Sequence, residues 1–451
     1  MPNTIQTNPD YPTITKSDDL YARATGLIPA YSQTLAKGPT QYVNGIAPKY
    51  LQRGRGSHVW DVDGNEYLDY NMGIGPISLG YAYDVVDKAI KQQLADGITF
   101  SLVHPLEVEL AELISGIIPN AQAVRYGKTG AEVTSAAVRL ARAYTGREKV
   151  LCCGYHGWHD WYIGVTARSM GVPQSAIELV QTFKYNDIDS VLAALDGDTA
   201  CVILEPMIFD LPQDSFLHQL KGACEGNGTL LIFDEMWTGF RLALGGAQEY
   251  FGVTPDLACY SKAIANGMPL SVLTGREDVM ELLDEDVFFF STFGGEALSL
   301  AAAVATINEM QQQNVIAHLG NQGIKLKNGY NQLAAELEME HITQCKGHPA
   351  RTLVTFAPEA GDPLLMKSLV QQEMIKRGVL WSGFHNICFS HSDKDVAYTL
   401  AAYREVLPIL AWALRENRLF ASLRGTPVQP VFRKIDDFET KLKRLVLANG
   451  H

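Results

Sequence analysis

The chain has 451 residues, 47% of them hydrophobic and 19% charged, which is ordinary for a folded protein and long enough for one large domain with a smaller one beside it. Its formal net charge of −13 leaves no basic face for a nucleic-acid partner. No aliphatic stretch, that at 406–414 included, approaches the roughly 20 apolar residues that cross a bilayer. A small molecule is the expected ligand, with no nucleic-acid and no membrane partner.

The opening MPNTIQTNPDYPTITKSDD lacks the basic and apolar regions of a secretory leader, which points to the cytoplasm. The seven cysteines show no C-x-x-C spacing, so reduced core thiols are expected rather than a zinc or redox motif. GSHVWDVDGNEYLDYNMG (56–73) alternates apolar and polar residues around an Asp-Gly-Asn turn and predicts a β-hairpin. From about Val124 to Leu300, short β-branched runs alternate with helix-period segments, the pattern of an α/β domain with a mostly parallel sheet. Strands are expected at AVRY, KVLCC (149–153), ACVILE (200–205), TLLIFDE (229–235), DLACYS (256–261) and PLSVLTG (269–275). The segment 133–146 predicts a helix that buries Val138, Leu140, Ala141 and Tyr144 and stops at Gly146.

Beyond about Asn308 the pattern turns to helix, strands at 351–358 and 385–390, and a long helix over 395–417. SLRGTPVQPVFRK (422–434) reads as an extended, Pro-rich strap. The expected organisation is an N-terminal segment 1–57 contributing to the small domain, a large α/β domain over 58–307, and a small α+β domain over 308–451.

Four features carry chemistry. Asp234-Glu235 ends an apolar strand, where a buried charge is costly unless paired. A protonated pyridine nitrogen would pair it, and so, structurally, would the N-terminus of a helix that Asp234 capped. Lys262 ends the next strand, where half-burial depresses a lysine pKa and makes a Schiff-base nucleophile, although most strand-end lysines are simply solvated. KTGAE (128–132) places Thr129, Gly130 and Ala131 at a helix N-terminus fit for a phosphate, and Thr129 with Glu132 equally fits an ordinary capping box. GYHGWHDWY (154–162) offers Tyr155 as a stacking face or as plain packing; His156 and His159 lack a third nearby ligand, so no metal site is expected.

The order of these elements, a G-x-E loop, YHG, EP, DE-x-x-TGFR, a lysine before G-x-P, and TFGG, closely resembles the class III family of pyridoxal-phosphate (PLP) aminotransferases, nearest the glutamate-1-semialdehyde 2,1-aminomutase branch. The likeness runs from about Ala47 to Ala413. It implies PLP fold type I, with a seven-stranded-type, mostly parallel sheet flanked by helices. It implies that Lys262 forms the Schiff base and shuttles the proton, and that Asp234 partners the ring nitrogen. Tyr155 and Met236 would sandwich the ring, with His156 and Glu205 among the cofactor contacts. Thr129, Gly130 and Ala131 would hold the phosphate, and Thr292 would reach the cofactor of a neighbouring subunit in a homodimer.

Departures from the family fall where substrates are chosen. KTGAE replaces the branch's NSGTE, losing a hydroxyl at Ala131. Trp237 stands where the aminomutase has methionine and many transaminases glutamine. The arginine-bearing N-terminal segment that clamps the aminomutase's carboxylate is absent from LAKGPTQYVNG (35–45). Trp381 and His385 are the nearest candidates for the family's substrate-side position, while Arg241 reads as structural. The expected activity is transfer of an amino group between a small amino donor and a keto or aldehyde acceptor. An aminomutase or ammonia-lyase outcome is the alternative, and a non-catalytic binder of the same fold a distant third.

Overall fold

The computed structural model describes residues 10–430. The first part of the opening segment (1–9) and the end of the Pro-rich tail and C-terminal domain (431–451) lie outside the described residues. Three antiparallel strands come first: β1 (Leu51–Arg55), β2 (His58–Asp61) and β3 (Glu66–Asp69). The expected hairpin is the β2–β3 pair, with Val59 opposite Tyr67, both buried.

The main sheet has seven strands: β4 (Ala123–Gly127), β5 (Lys149–Cys153), β6 (Val180–Thr182), β7 (Thr199–Leu204), β8 (Leu230–Asp234), β9 (Leu257–Tyr260) and β10 (Ser271–Gly275). Their spatial order is β4-β10-β9-β8-β7-β5-β6, with β10 antiparallel to both neighbours and the other pairs parallel. Every residue of β7, β8 and β9 is buried, as a parallel sheet covered by helices on both faces requires, and this is why these strands read as unbroken apolar runs. Ile232 pairs with Leu257 and Asp234 with Cys259, so the carboxyl ends of β8 and β9 finish almost level. Open α/β sheets bind ligands beyond those ends.

The helix after β4 spans Gly130–Thr145 and buries Val133, Ala137, Val138, Leu140 and Ala141 against the sheet, and Gly146 (φ 66°) terminates it in the left-handed region. Tyr144 departs from the expected face: it is exposed, with its hydroxyl donating to Asp278 at 2.7 Å. Its place in the last turn carries it past the sheet edge, and the polar tip takes a surface partner.

The C-terminal part forms β11 (Thr343–His348), β12 (Arg351–Phe356), β13 (Val379–Leu380) and β14 (Phe384–Asn386). β11, β12 and β14 make an antiparallel sheet against which the helices Val315–Glu336 and Pro363–Lys376 pack, with the helix Asp393–Arg415 laid on both, while β13 pairs in parallel with β3. Tyr67 and Val59 of the hairpin therefore share a cluster with Ile375 and Leu380 rather than with the large sheet. β11 escaped the sequence reading because TQCKGH shows no apolar run, and the strand expected at 385–390 is shorter, leaving the sheet after Asn386. Among the described residues no helix is long and apolar enough to cross a membrane.

Candidate active site

Three adjacent strand ends carry ionisable side chains. Glu205 follows β7, Asp234 ends β8, and Lys262 lies two residues beyond β9. Lys262 has φ 48°, the left-handed region that a residue with a β-carbon avoids, and such strain persists only where surrounding contacts impose it. Burial lowers its pKa from 10.5 to about 8, against the opposing pull of Asp234 and Glu205; Arg351 and Arg241 lower it further. Lys262 thus holds an unusually large share of neutral amine near neutrality.

Asp234 is buried, and its Oδ2 lies 2.8 Å from Nδ1 of His156, while its Oδ1 accepts the Met236 N–H at 3.1 Å. Nε2 of His156 is buried with no partner. The helix-capping alternative for this dipeptide falls to its other member: Glu235 accepts the N–H groups of Ala247 (2.8 Å) and Gln248 (3.0 Å) at the start of the helix Ala247–Phe251. Burial raises Glu235 to about 7 in spite of those donors. Glu205 is also raised by burial, with the charges of Arg351 and Lys262 opposing the shift.

At the N-terminus of Gly130–Thr145, the Glu132 carboxylate accepts the N–H groups of Lys128 (2.6 Å) and Thr129 (2.9 Å), the glutamate half of the expected capping box. The first-turn N–H groups of Gly130 and Ala131 find no acceptor among the described residues. Such a ring of donors suits a phosphate. Close backbone approaches shape it. A β-carbon on Gly130 would stand 2.9 Å from Sδ of Met236, and one on Gly157 would stand 2.7 Å from Cβ of Ala131. Tyr155, half-exposed, meets Tyr162 edge-on at 5.7 Å. His159 is 2.6 Å from the Ser135 hydroxyl, so the aromatic cluster is in part plain packing.

Trp237 forms the opposite wall. Its indole is pressed against Gly75, where a β-carbon would lie 2.3 Å from Cζ3, in a loop whose residues 72–75 all have positive φ. Arg241 ties that loop down: fully buried, it donates to the carbonyls of Gly75 (2.9 Å), Ile387 (2.9 Å) and Ala350 (3.3 Å), which makes it structural as expected. Nζ of Lys262 sits 4.3 Å from the Trp237 ring centroid, and the guanidinium carbon of Arg351 sits 3.7 Å from it.

The structure does not bring Trp381 and His385 to this wall. Both are fully buried within the small domain; His385 bonds Thr352 through Nδ1 and Tyr403 through Nε2, each at 2.8 Å, and Trp381 packs against the same Tyr403. Side chains alternate across a strand. His385 pairs with Thr352, so it shares the inward face of β12, whereas Arg351 next to it turns the other way, to Trp237. Sequence reading passed over Arg351, and its only signal was a lone arginine opening an apolar strand. Thr292 is exposed, between exposed Ser291 and Phe293.

A family model described as aminotransferase class-III matches residues 42–389. The chain is 34% identical over 407 residues to a 3-aminobutyryl-CoA aminotransferase of Cloacimonas acidaminovorans, covering 87% of this chain and 97% of that protein. It is 33% identical over 429 residues to a glutamate-1-semialdehyde 2,1-aminomutase of Alkaliphilus oremlandii, covering 87% and 98%. Among solved structures, the PLP internal aldimine form of the FumI protein of Sphingopyxis sp. MTA144 superposes with a TM-score of 0.82 at 28% identity, covering 91% of this chain and 99% of that one. The α/β architecture is accordingly that of PLP fold type I.

Proposed function

The chain belongs to the class III aminotransferase family, and from that premise we propose that it is a PLP-dependent aminotransferase whose site is the cleft beyond β7, β8 and β9. The observation that carries this reading is the pairing of a buried carboxylate, Asp234, with an amine held at about 8, Lys262, on neighbouring strand ends.

The residues fit the cofactor: unpaired N–H groups at Gly130 and Ala131 for a phosphate, and a buried carboxylate for a cationic ring. When bound, PLP supplies an electron sink for a carbanion at the amino-bearing carbon. Asp234 would hold a positive charge at the ring nitrogen, with His156 fixing the carboxylate's orientation. Tyr155 and Met236 would flank the ring, with Glu205 beside it. Lys262 would provide the amine that holds the cofactor and would then carry the proton at the reacting carbon. Thr129 adds its hydroxyl to the phosphate site.

Thr292 of a second copy completes that site in a homodimer. The exposed Phe288, Phe290 and Phe293 around it, with Leu102 and Val103, support a self-associating face. The amino donor and the keto or aldehyde acceptor are small molecules. Seven cysteines without a disulfide support a reducing, cytoplasmic setting. An aminomutase outcome remains the second reading, favoured by an identity to the aminomutase that nearly equals that to the aminotransferase.

The test is the absorption spectrum of the PLP-loaded protein titrated with amino donors in the absence of acceptor. A lasting spectral change with release of one equivalent of keto or aldehyde product supports transamination. Recovery of the starting spectrum while a rearranged amine accumulates supports the aminomutase, and a spectrum that does not depend on Lys262 overturns both.

A further inference from the structure

Two arginines are buried at the junction of the cleft and the small domain, and their hydrogen bonding differs. Arg241 donates to three carbonyls. Arg351 is 8% exposed, yet its one hydrogen bond is to the Ile208 carbonyl at 3.4 Å, and its Nε is buried without a partner. Among the described residues no carboxylate lies within ion-pair distance of it. Guanidinium groups carry five donors, and one this poorly satisfied is costly to bury unless something else completes it.

The surroundings say what would do so. The guanidinium lies over the rings of Trp237 (3.7 Å), Phe209 (4.8 Å) and Phe384 (5.7 Å). Phe209 and Phe384 stack on each other at 5.4 Å and form an apolar wall. Lys262 contacts the same indole, so the two cations are separated by no more than the sum of their distances to it. Arg351 also lowers the pKa of Lys262 through its charge, which places it in the field of the reacting amine.

We propose that Arg351 is the substrate's carboxylate-binding residue, and that this enzyme therefore acts on amino and keto acids carrying a single carboxylate on an apolar frame. A planar guanidinium fork matches a carboxylate with two parallel bonds. Phosphate is a poorer match, because the rest of its oxygens would face the Trp237, Phe209 and Phe384 rings, and its second charge would meet the Glu205 carboxylate. The segment 35–45 holds no arginine of the kind that clamps the aminomutase's carboxylate, whereas β12 brings Arg351 to the cleft.

This inference rests on the aminotransferase reading, but binding tests it separately from turnover. Hexanoate and hexanamide, which cannot react, are titrated by calorimetry into the PLP-loaded protein. Wild type should prefer the acid on the order of tenfold to a hundredfold. Arg351→Gln should erase that preference and Arg351→Lys keep part of it, both still showing the Lys262-dependent cofactor band. Equal affinities in wild type, failure of the acid to bind, or an acid preference that survives Arg351→Gln overturns the proposal. Loss of the Lys262-dependent spectrum would instead overturn the reading beneath it.

Discussion

His156 and Asp234 form a buried pair, with imidazole Nδ1 2.8 Å from carboxylate Oδ2 and both side chains closed to solvent. The histidine leaves the second oxygen to the Met236 N–H, so the carboxylate is held in one orientation at the end of β8. Asp234→Asn should lower the rate of the donor half-reaction on the order of a hundredfold to a thousandfold, since an amide cannot stabilise a cationic ring. His156→Asn, which removes only the orienting partner, should cost less. Stopped-flow absorption with one donor ranks the two, and equal losses would contradict separate roles.

Lys262 attacks a carbonyl only as the neutral amine. Its pKa is depressed to about 8, so the neutral fraction grows as pH rises through that value rather than through 10.5. Uptake of PLP by cofactor-free protein should accelerate about tenfold between about pH 7 and 9 and then level off. Stability of the cofactor-free protein should also rise with pH between 8 and 10.5, where the unfolded chain keeps a proton that the folded chain has lost. An uptake rate still climbing near pH 10.5 would count against the depressed pKa.

Gly157 has φ 108°, and a β-carbon there would lie 2.7 Å from Cβ and 2.9 Å from Cα of Ala131, in the first turn that offers free N–H groups. Gly157→Ala should destabilise the protein by about 1–3 kcal/mol and weaken PLP binding about tenfold by displacing that turn. Gly171 is the control: its φ is 91°, but nothing lies within 4 Å of a β-carbon there. Gly171→Ala should share the backbone strain and spare the cofactor. Denaturant titration and PLP equilibrium binding on both variants separate the two effects.

Burial lowers His385 to about 3 and His391 to about 4, so both stay neutral in the folded small domain while the unfolded chain protonates near 6.5. Their contribution is present above pH 6.5 and is lost as pH falls toward 4, on the order of 3 kcal/mol for each. Asp69, raised to about 6, and Glu235, raised to about 7, slope the opposite way and flatten the total. The difference between wild type and His385→Gln should therefore be compared: it should narrow as pH drops from 6.5 to 4. A constant difference would show that His385 is not held neutral.

The sequence by itself determined the strand ends and what they carry. Apolar β-strands are local patterns, and Glu205, Asp234 and Lys262 are each placed at a carboxyl end by nothing more than where an apolar run stops. The helix start at Gly130 is local too, written in Thr129 and Glu132. Only the tertiary structure decided the wall facing them. Strand alternation says that Arg351 and Thr352 point to opposite faces, but not which face meets the cleft, and so His385 and Trp381 went into the core while Arg351 came to Trp237. The pairing of β3 with β13, more than three hundred residues along, likewise drew the hairpin to the C-terminal part. Such choices depend on which surfaces bury the most apolar area once distant segments meet, and no window of sequence contains both partners.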